Sequence, residues 1–269
     1  MERHMKWPNT LTAIRHGESA YNVLKAQKNE DPLYQEFKKA FNRRQKDPER
    51  ARQLAQEFID LGSFVLGVGD HGTPLTERGK LQAEITGSKL KHRIDLPDVL
   101  LVSPYDRTQE TLDQMKKGWP ELADVKEVVE DRICEQQHGL ALLYNDWKIF
   151  HALHPEQEAL YNMEGRYWYR YPQGENVPDV RERMRSEMIA VTRDYHERDV
   201  LMVTHHLSIL ALRANMERLD AAGFCDLDEH DKPRNCSLTI YRGYPDLGEN
   251  GKLLLDTYNE ILYPDDLAA

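Results

Sequence analysis

The stretch Leu11-Thr12-Ala13-Ile14-Arg15-His16-Gly17-Glu18-Ser19 decides how the rest of the chain is read. A strand-like run from Thr10 stops abruptly at Arg15-His16-Gly17, and the pattern then turns helical. A histidine at a strand end, with arginine before it and glycine after it, suits a phosphate site. The arginine brings a permanent positive charge, the glycine lets backbone approach a ligand, and the following helix start offers free N–H groups.

Working outward, two further short apolar runs have the look of buried strands, Asp98–Ser103 (DVLLVS) and Asp199–Thr204 (DVLMVT). Weaker strand patterns cover Val125–Glu130, Ser237–Arg242 and Lys252–Tyr258. Helical patterns lie between them. Thr76 caps one running to about Arg93, with Leu81, Ile85 and Leu90 expected inward. Another carries Arg107, Leu112 and Met115, and a third spans about Val177–Glu197 with Val180, Met184, Met188, Val191 and Tyr195 on one face. A further helix follows His205-His206 and ends near Leu219. Strands alternating with helices predict an α/β fold, a three-layer sandwich with a mainly parallel central sheet flanked by helices.

One region does not alternate. Asp31-Pro32 and Asp47-Pro48 are matched helix starts, an acidic cap before a proline in the first turn. Ala51, Leu54, Ala55, Phe58 and Ile59 then recur at helical spacing on an otherwise charged segment, and a glycine-rich connection follows (Gly62, Gly67, Gly69, Gly72). The reading is a single domain over residues 1–269 with a helical insertion at about 25–70. No repeat or low-complexity tract divides it.

Composition narrows the function. Hydrophobic residues at 40% and charged residues at 30% describe an ordinary globular chain. A net charge of −10 argues against a nucleic-acid partner, so a basic pocket here would be a local exception with a purpose. Cys134, Cys225 and Cys236 have neither disulfide-framework nor zinc spacing, and no stretch is apolar enough for an export leader or a membrane span. The expectation is a cytoplasmic protein with no membrane partner, no metal and no cofactor. Oligomeric state has no signature.

In parallel sheets ligands bind beyond the carboxyl ends of the strands. Three such ends carry chemistry: Arg15-His16, Ser103 to Arg107, and His205. Two arginines can grip phosphate oxygens, and a neutral imidazole can attack phosphorus directly. A carboxylic acid is then needed to protonate the leaving oxygen.

These motifs resemble the histidine phosphatase superfamily, which includes cofactor-dependent phosphoglycerate mutases, the bisphosphatase half of the fructose-2,6-bisphosphate enzyme and many small phosphatases. RHGES (Arg15–Ser19) with Asn22, PLTERGKLQA (Pro74–Ala83), SPYDRTQET (Ser103–Thr111) and VTHH (Val203–His206) stand in the family's order. The resemblance implies a phosphoglycerate mutase-like fold and a small phosphorylated substrate. By it His16 is the phosphorylated nucleophile, Arg15 and Arg107 are phosphate clamps, His205 is the second pocket histidine and Glu135 is the proton donor. Asn22, Ser19 and His206 are further substrate-binding candidates, and Glu18 is the reserve acid. YPQGENVPDVRERM (Tyr171–Met184) is similar to the family's PGGES segment.

Two departures bear on substrate. The segment between Asn22 and Asp70 is longer than the family's usual connection. Gln136, Gln137 and His138 stand where mutases carry residues that hold phosphoglycerate, so a phosphomonoester hydrolase is expected ahead of a phosphoglycerate-type mutase. A non-catalytic phosphate-binding or interaction module is the alternative from another class. His151 and His154 share helical spacing but lack a third ligand, which favours a solvated helix over a metal site. The run Arg166–Tyr171 reads equally as a substrate wall or as loop packing.

Overall fold

The computed structural model describes residues 5–62 and 66–267. Met1–His4, part of the stretch read for a leader, and Ser63–Val65, in the expected glycine-rich connection, lie outside the described residues. In chain order the elements open with β1 (Thr10–Arg15), α1 (Ala20–Glu30), α2 (Pro32–Phe41), α3 (Pro48–Asp60) and α4 (Glu77–Leu90). Next come β2 (Val99–Val102), α5 (Asp106–Gly118), β3 (Lys126–Val129), α6 (Trp147–Leu153) and α7 (Pro155–Glu164). The chain continues through α8 (Val177–Asp194), β4 (Asp199–Thr204), α9 (His206–Met216), α10 (Ala221–His230), β5 (Leu238–Tyr244) and β6 (Lys252–Glu260). The chain divides into two compact units, one of residues 5–19, 71–135 and 179–267, the other of residues 20–70 and 136–178.

The first unit is built on a six-stranded sheet of order β3-β2-β4-β1-β5-β6. The pairs β1–β4, β4–β2 and β2–β3 are parallel, whereas β5 and β6 add as antiparallel strands, so the fold is α/β with a mainly parallel sheet. β2 is apolar throughout, and β1 and β4 are apolar over most of their length, because both faces are covered. Leu11, Ala13, Val99, Leu101, Val200 and Met202 pack with Val180, Met184 and Val191 of α8 and Ile209 of α9. Their strand neighbours Ile14, Leu100, Val102, Leu201 and Val203 pack with Ala83 and Leu90 of α4 and Leu112 and Met115 of α5. This period of two, with neither face wetted, makes the runs read as continuous. Full burial of one such valine or leucine contributes about 2 kcal/mol.

Thr76 caps α4 as expected, its hydroxyl accepting from Gly79 N–H at 3.0 Å. The inward face of α4 differs from the expected one. Leu81 is 45% exposed, while Ala83, Thr86, Gly87 and Leu90 are buried. The cause is the tight fit of α4 on α5: a Cβ at Gly87 would lie 2.3 Å from Met115 O, so the small residues set the contact line and Leu81 falls outside it. The long helix α8 ends at Asp194, before the expected Glu197.

In the second unit, Asp31 and Asp47 cap α2 and α3, accepting from Tyr34 N–H at 2.8 Å and Arg50 N–H at 3.1 Å. The apolar faces of these helices meet Ile149 of α6 in a cluster of Tyr34, Phe37, Phe41, Leu54, Ala55 and Phe58. A buried ion pair joins Lys28 Nζ to Asp146 Oδ2 at 2.7 Å, and the Tyr34 hydroxyl donates to the same oxygen. His151 corrects the solvated-helix expectation: it is 1% exposed, among the rings of Tyr161, Tyr169 and Tyr171. The spacing of His151 and His154 placed them near each other and did not say which way α6 faces. Tyr167 and Tyr169 are buried, which favours packing for that part of the aromatic run. Among the described residues no helix is long and apolar enough to cross a membrane.

Candidate active site

Sheet register assembles the site. Arg15 of β1 pairs with Thr204 of β4, and Val102 of β2 with Val203 of β4. The ladder continues one step past the strand ends, with His16 N–H donating to Thr204 O at 2.9 Å and Ser103 N–H donating to Val203 O at 3.1 Å. His16 and His205 therefore emerge side by side, their ring centroids 5.3 Å apart and edge-on. Residues separated by most of the chain meet because three apolar strands align in parallel.

His16 is 4% exposed, and its Nδ1 lies 2.7 Å from the carbonyl of Gly17. A carbonyl can only accept, so Nδ1 carries the ring proton and Nε2 is left with its lone pair. Burial holds the imidazole well below its ordinary pKa, and the Arg107 and Arg15 guanidinium groups push it further down. The loop bearing it is pinned from several sides. Gly17 N–H donates to Thr111 Oγ1 (2.9 Å), Asn235 Nδ2 donates to His16 O (3.0 Å), and Arg15 Nη1 donates to Pro233 O (2.7 Å). The glycine also serves packing. A Cβ at Gly17 would stand 2.6 Å from Gly79 O at the start of α4.

His205 is fully buried, with Nε2 2.7 Å from Ser103 Oγ. Its Nδ1 has no hydrogen-bond partner among the described residues. Burial, then Arg107 and His16, hold this ring well below its ordinary pKa as well. Arg107 is buried on the first turn of α5, its guanidinium 4.7 Å from the centroid of the Tyr105 ring. Tyr105 in turn meets the His205 ring edge-on at 4.9 Å.

Glu135 is half-buried and lies against the first turn of α9, where its Oε1 accepts from Leu207 N–H at 3.1 Å. Its backbone is fixed by Arg183, whose Nη2 donates to Glu135 O at 3.1 Å. The carboxylate is within electrostatic reach of Arg15. The five principal candidates thus belong to one region of the first unit.

The remaining candidates are placed differently. Glu18, the reserve acid, has both carboxylate oxygens engaged, one by Thr76 Oγ1 at 2.6 Å and the other by Arg78. Ser19 is buried and forms a single antiparallel bridge with Leu75. His206 sets its Nε2 2.7 Å from Asp228 Oδ1 of α10. Asn22 falls on α1, in the second unit.

Sequence reasoning missed four contributors. Ser103 and Tyr105 contact His205, Thr111 holds Gly17, and Arg183 holds Glu135. Thr111 could have been found, because it stands four residues after Arg107 on the same helix face. Arg183 had no signal, being one of several arginines on α8.

Comparison with known proteins finds relatives in sequence and in fold. Phosphoglycerate mutase-like protein AT74H of Arabidopsis thaliana is 28% identical over 196 residues, 62% of this chain and 67% of the relative. Phosphoglycerate mutase-like protein AT74 of the same organism is 29% identical over 156 residues, 52% of this chain and 47% of the relative. Among solved structures, a mycobacterial glucosyl-3-phosphoglycerate phosphatase with inorganic phosphate superposes with a TM-score of 0.61. It is 20% identical, covering 94% of this chain and 98% of that one. Bacillus stearothermophilus YhfR also reaches 0.61, at 19% identity over 94% and 97%. These two likenesses concern the fold. A sequence model of the histidine phosphatase superfamily (branch 1) matches residues 66–252, a span that contains Arg107, Glu135 and His205 while β1, Arg15 and His16 precede it. With the sheet register bringing His16 back to the matched segment, the chain belongs to the histidine phosphatase superfamily.

Proposed function

We propose that this chain is a phosphomonoester hydrolase acting through a phosphohistidine on His16. The observation that carries the reading is the buried imidazole of His16, its Nδ1 tied to Gly17 O at 2.7 Å with the His205 ring 5.3 Å away. In this reading Arg15 and Arg107 hold the phosphate oxygens and spread their charge. Ser103 donates its hydroxyl proton to His205 Nε2, which puts the ring proton on Nδ1, where a phosphoryl oxygen can accept it. His16 Nε2 attacks phosphorus in line, the ester P–O bond breaks, and Glu135 gives its proton to the departing alkoxide. Water then attacks phosphorus, Glu135 takes back a proton, and His16 leaves with its lone pair restored.

The test is chemical trapping. Alkaline quench during turnover of labelled phenyl phosphate should leave an alkali-stable, acid-labile phosphoryl group on the peptide containing His16. Absence of that species, with ligand binding intact, would leave the binding-module alternative. Turnover should survive a chelator unchanged. With 3-phosphoglycerate, free phosphate marks a hydrolase, whereas isomer formation marks a mutase. Glucosyl-3-phosphoglycerate belongs in the same substrate panel.

A further inference from the structure

The second unit holds a cavity of about 380 Å³ that uses none of the residues of the strand-end site. Its wall is cationic although the chain carries a net charge of −10. Lys25, Lys28 and Lys148 line it against one carboxylate, Asp146. That carboxylate is already committed. Lys28 and the Tyr34 hydroxyl share Oδ2, while Oδ1 accepts from Lys148 N–H (2.7 Å) and Ile149 N–H (3.1 Å) at the start of α6. Lys28 therefore pairs with Asp146, and the Lys148 ammonium, though within electrostatic reach of that carboxylate, forms no ion pair with it. The side chain of Lys148 is half-buried, and its ammonium meets no acceptor among the described residues. It lies 5.4 Å from the centroid of the Trp147 ring, an attraction that a ring face supplies to a cation. Burial pushes its pKa down from the ordinary lysine value; the attraction of Asp146 opposes this without cancelling it, and Lys38 and Lys28 add to the lowering.

Beside these cations five rings line the cavity, Tyr21, Tyr34, His138, Trp147 and Tyr171, together with asparagine and aliphatic side chains. A half-buried cation without a partner beside aromatic faces fits one chemistry: an acid group to pair with the ammonium and a planar body to cover the rings. We propose that this cavity binds a small organic anion bearing a flat ring, with its acid group on Lys148 and its ring against Trp147 and Tyr171. The site lies in the second unit and does not depend on the phosphohistidine reading.

Calorimetric titration of the full chain with naphthalene-2-sulfonate tests it, since a sulfonate cannot be turned over. One site is expected. Lys148→Gln, which keeps the backbone N–H that caps α6, should weaken binding about tenfold or more, and Lys148→Arg should retain most of it. Neutral naphthalene-2-sulfonamide and ringless methanesulfonate should each bind about tenfold more weakly or worse. His16→Ala should bind the sulfonate as the parent chain does. No binding at millimolar concentration, or equal binding by a folded Lys148→Gln variant, would overturn the proposal. So would loss of binding in His16→Ala, which would assign the anion to the strand-end site.

Discussion

His16 in the sheet-based unit and His151 in the helical unit are both buried, and burial lowers the pKa of both. The resemblance ends there. His16 has Nδ1 fixed by the Gly17 carbonyl and two guanidinium groups acting on it. His151 has neither ring nitrogen hydrogen-bonded among the described residues, and it sits in an aromatic nest with a pKa lowered to about 4. Burial alone makes a histidine neutral. It takes a carbonyl to choose the tautomer and cations to receive an anion before neutrality becomes nucleophilicity.

The comparison breaks most visibly at His16 itself. His16→Ala should lower turnover about 10⁴-fold or more, read as the initial rate of phosphate release. Full activity in that variant would leave the two histidines equivalent. Arg107→Leu removes the buried cation that acts most strongly on both pocket rings, and kcat/KM should fall about 10²- to 10³-fold. Glu135→Gln should cost about 10²-fold on alkyl phosphates and much less on 4-nitrophenyl phosphate, whose leaving group needs no proton. An equal loss on both would remove the acid role. Because His16 is held below its ordinary pKa, the acid limb of kcat/KM should lie below pH 6.5 rather than at it.

The smallest effect on activity should come from His151→Phe, with kcat/KM unchanged within about twofold. Its signature is acid stability. The folded value of about 4 lies below the unfolded value of about 6.5, so the unfolded chain takes up the proton first as pH falls. The neutral ring's contribution is complete above about pH 6.5 and declines toward pH 4, by up to about 3 kcal/mol. His151→Phe should therefore lose less melting temperature between pH 7 and pH 4.5 than the parent chain, followed by circular dichroism. Identical losses would mean that His151 is not the buried neutral ring described here.

Particular elements explain what was legible. β1 and β4 match their expected limits because mostly apolar runs bounded by polar residues have no other stable place than a covered sheet. The caps at Asp31, Asp47 and Thr76 were readable because a short acceptor side chain before a helix acts locally. Leu81 and His151 were misplaced for one shared reason. Periodicity identifies a helix face, but a neighbour decides which face is covered, and no neighbour is written in the periodicity. Ser103 and Arg183 act through partners about a hundred and about fifty positions away, 102 and 48 residues in sequence.

By itself the chain's sequence determined which chemical groups stand at strand ends: an arginine and histidine after β1, a histidine after β4, an arginine one turn beyond β2. Those are local facts, set by where apolar runs stop. Only the tertiary structure decided that Thr10 aligns with Asp199 and Val99 with Val200. Strand register depends on packing both sheet faces at once, so the pairing of the His16 ring with His205 is a property of the assembled sheet, whereas the tautomer of His16 is set inside its own motif by the Gly17 carbonyl.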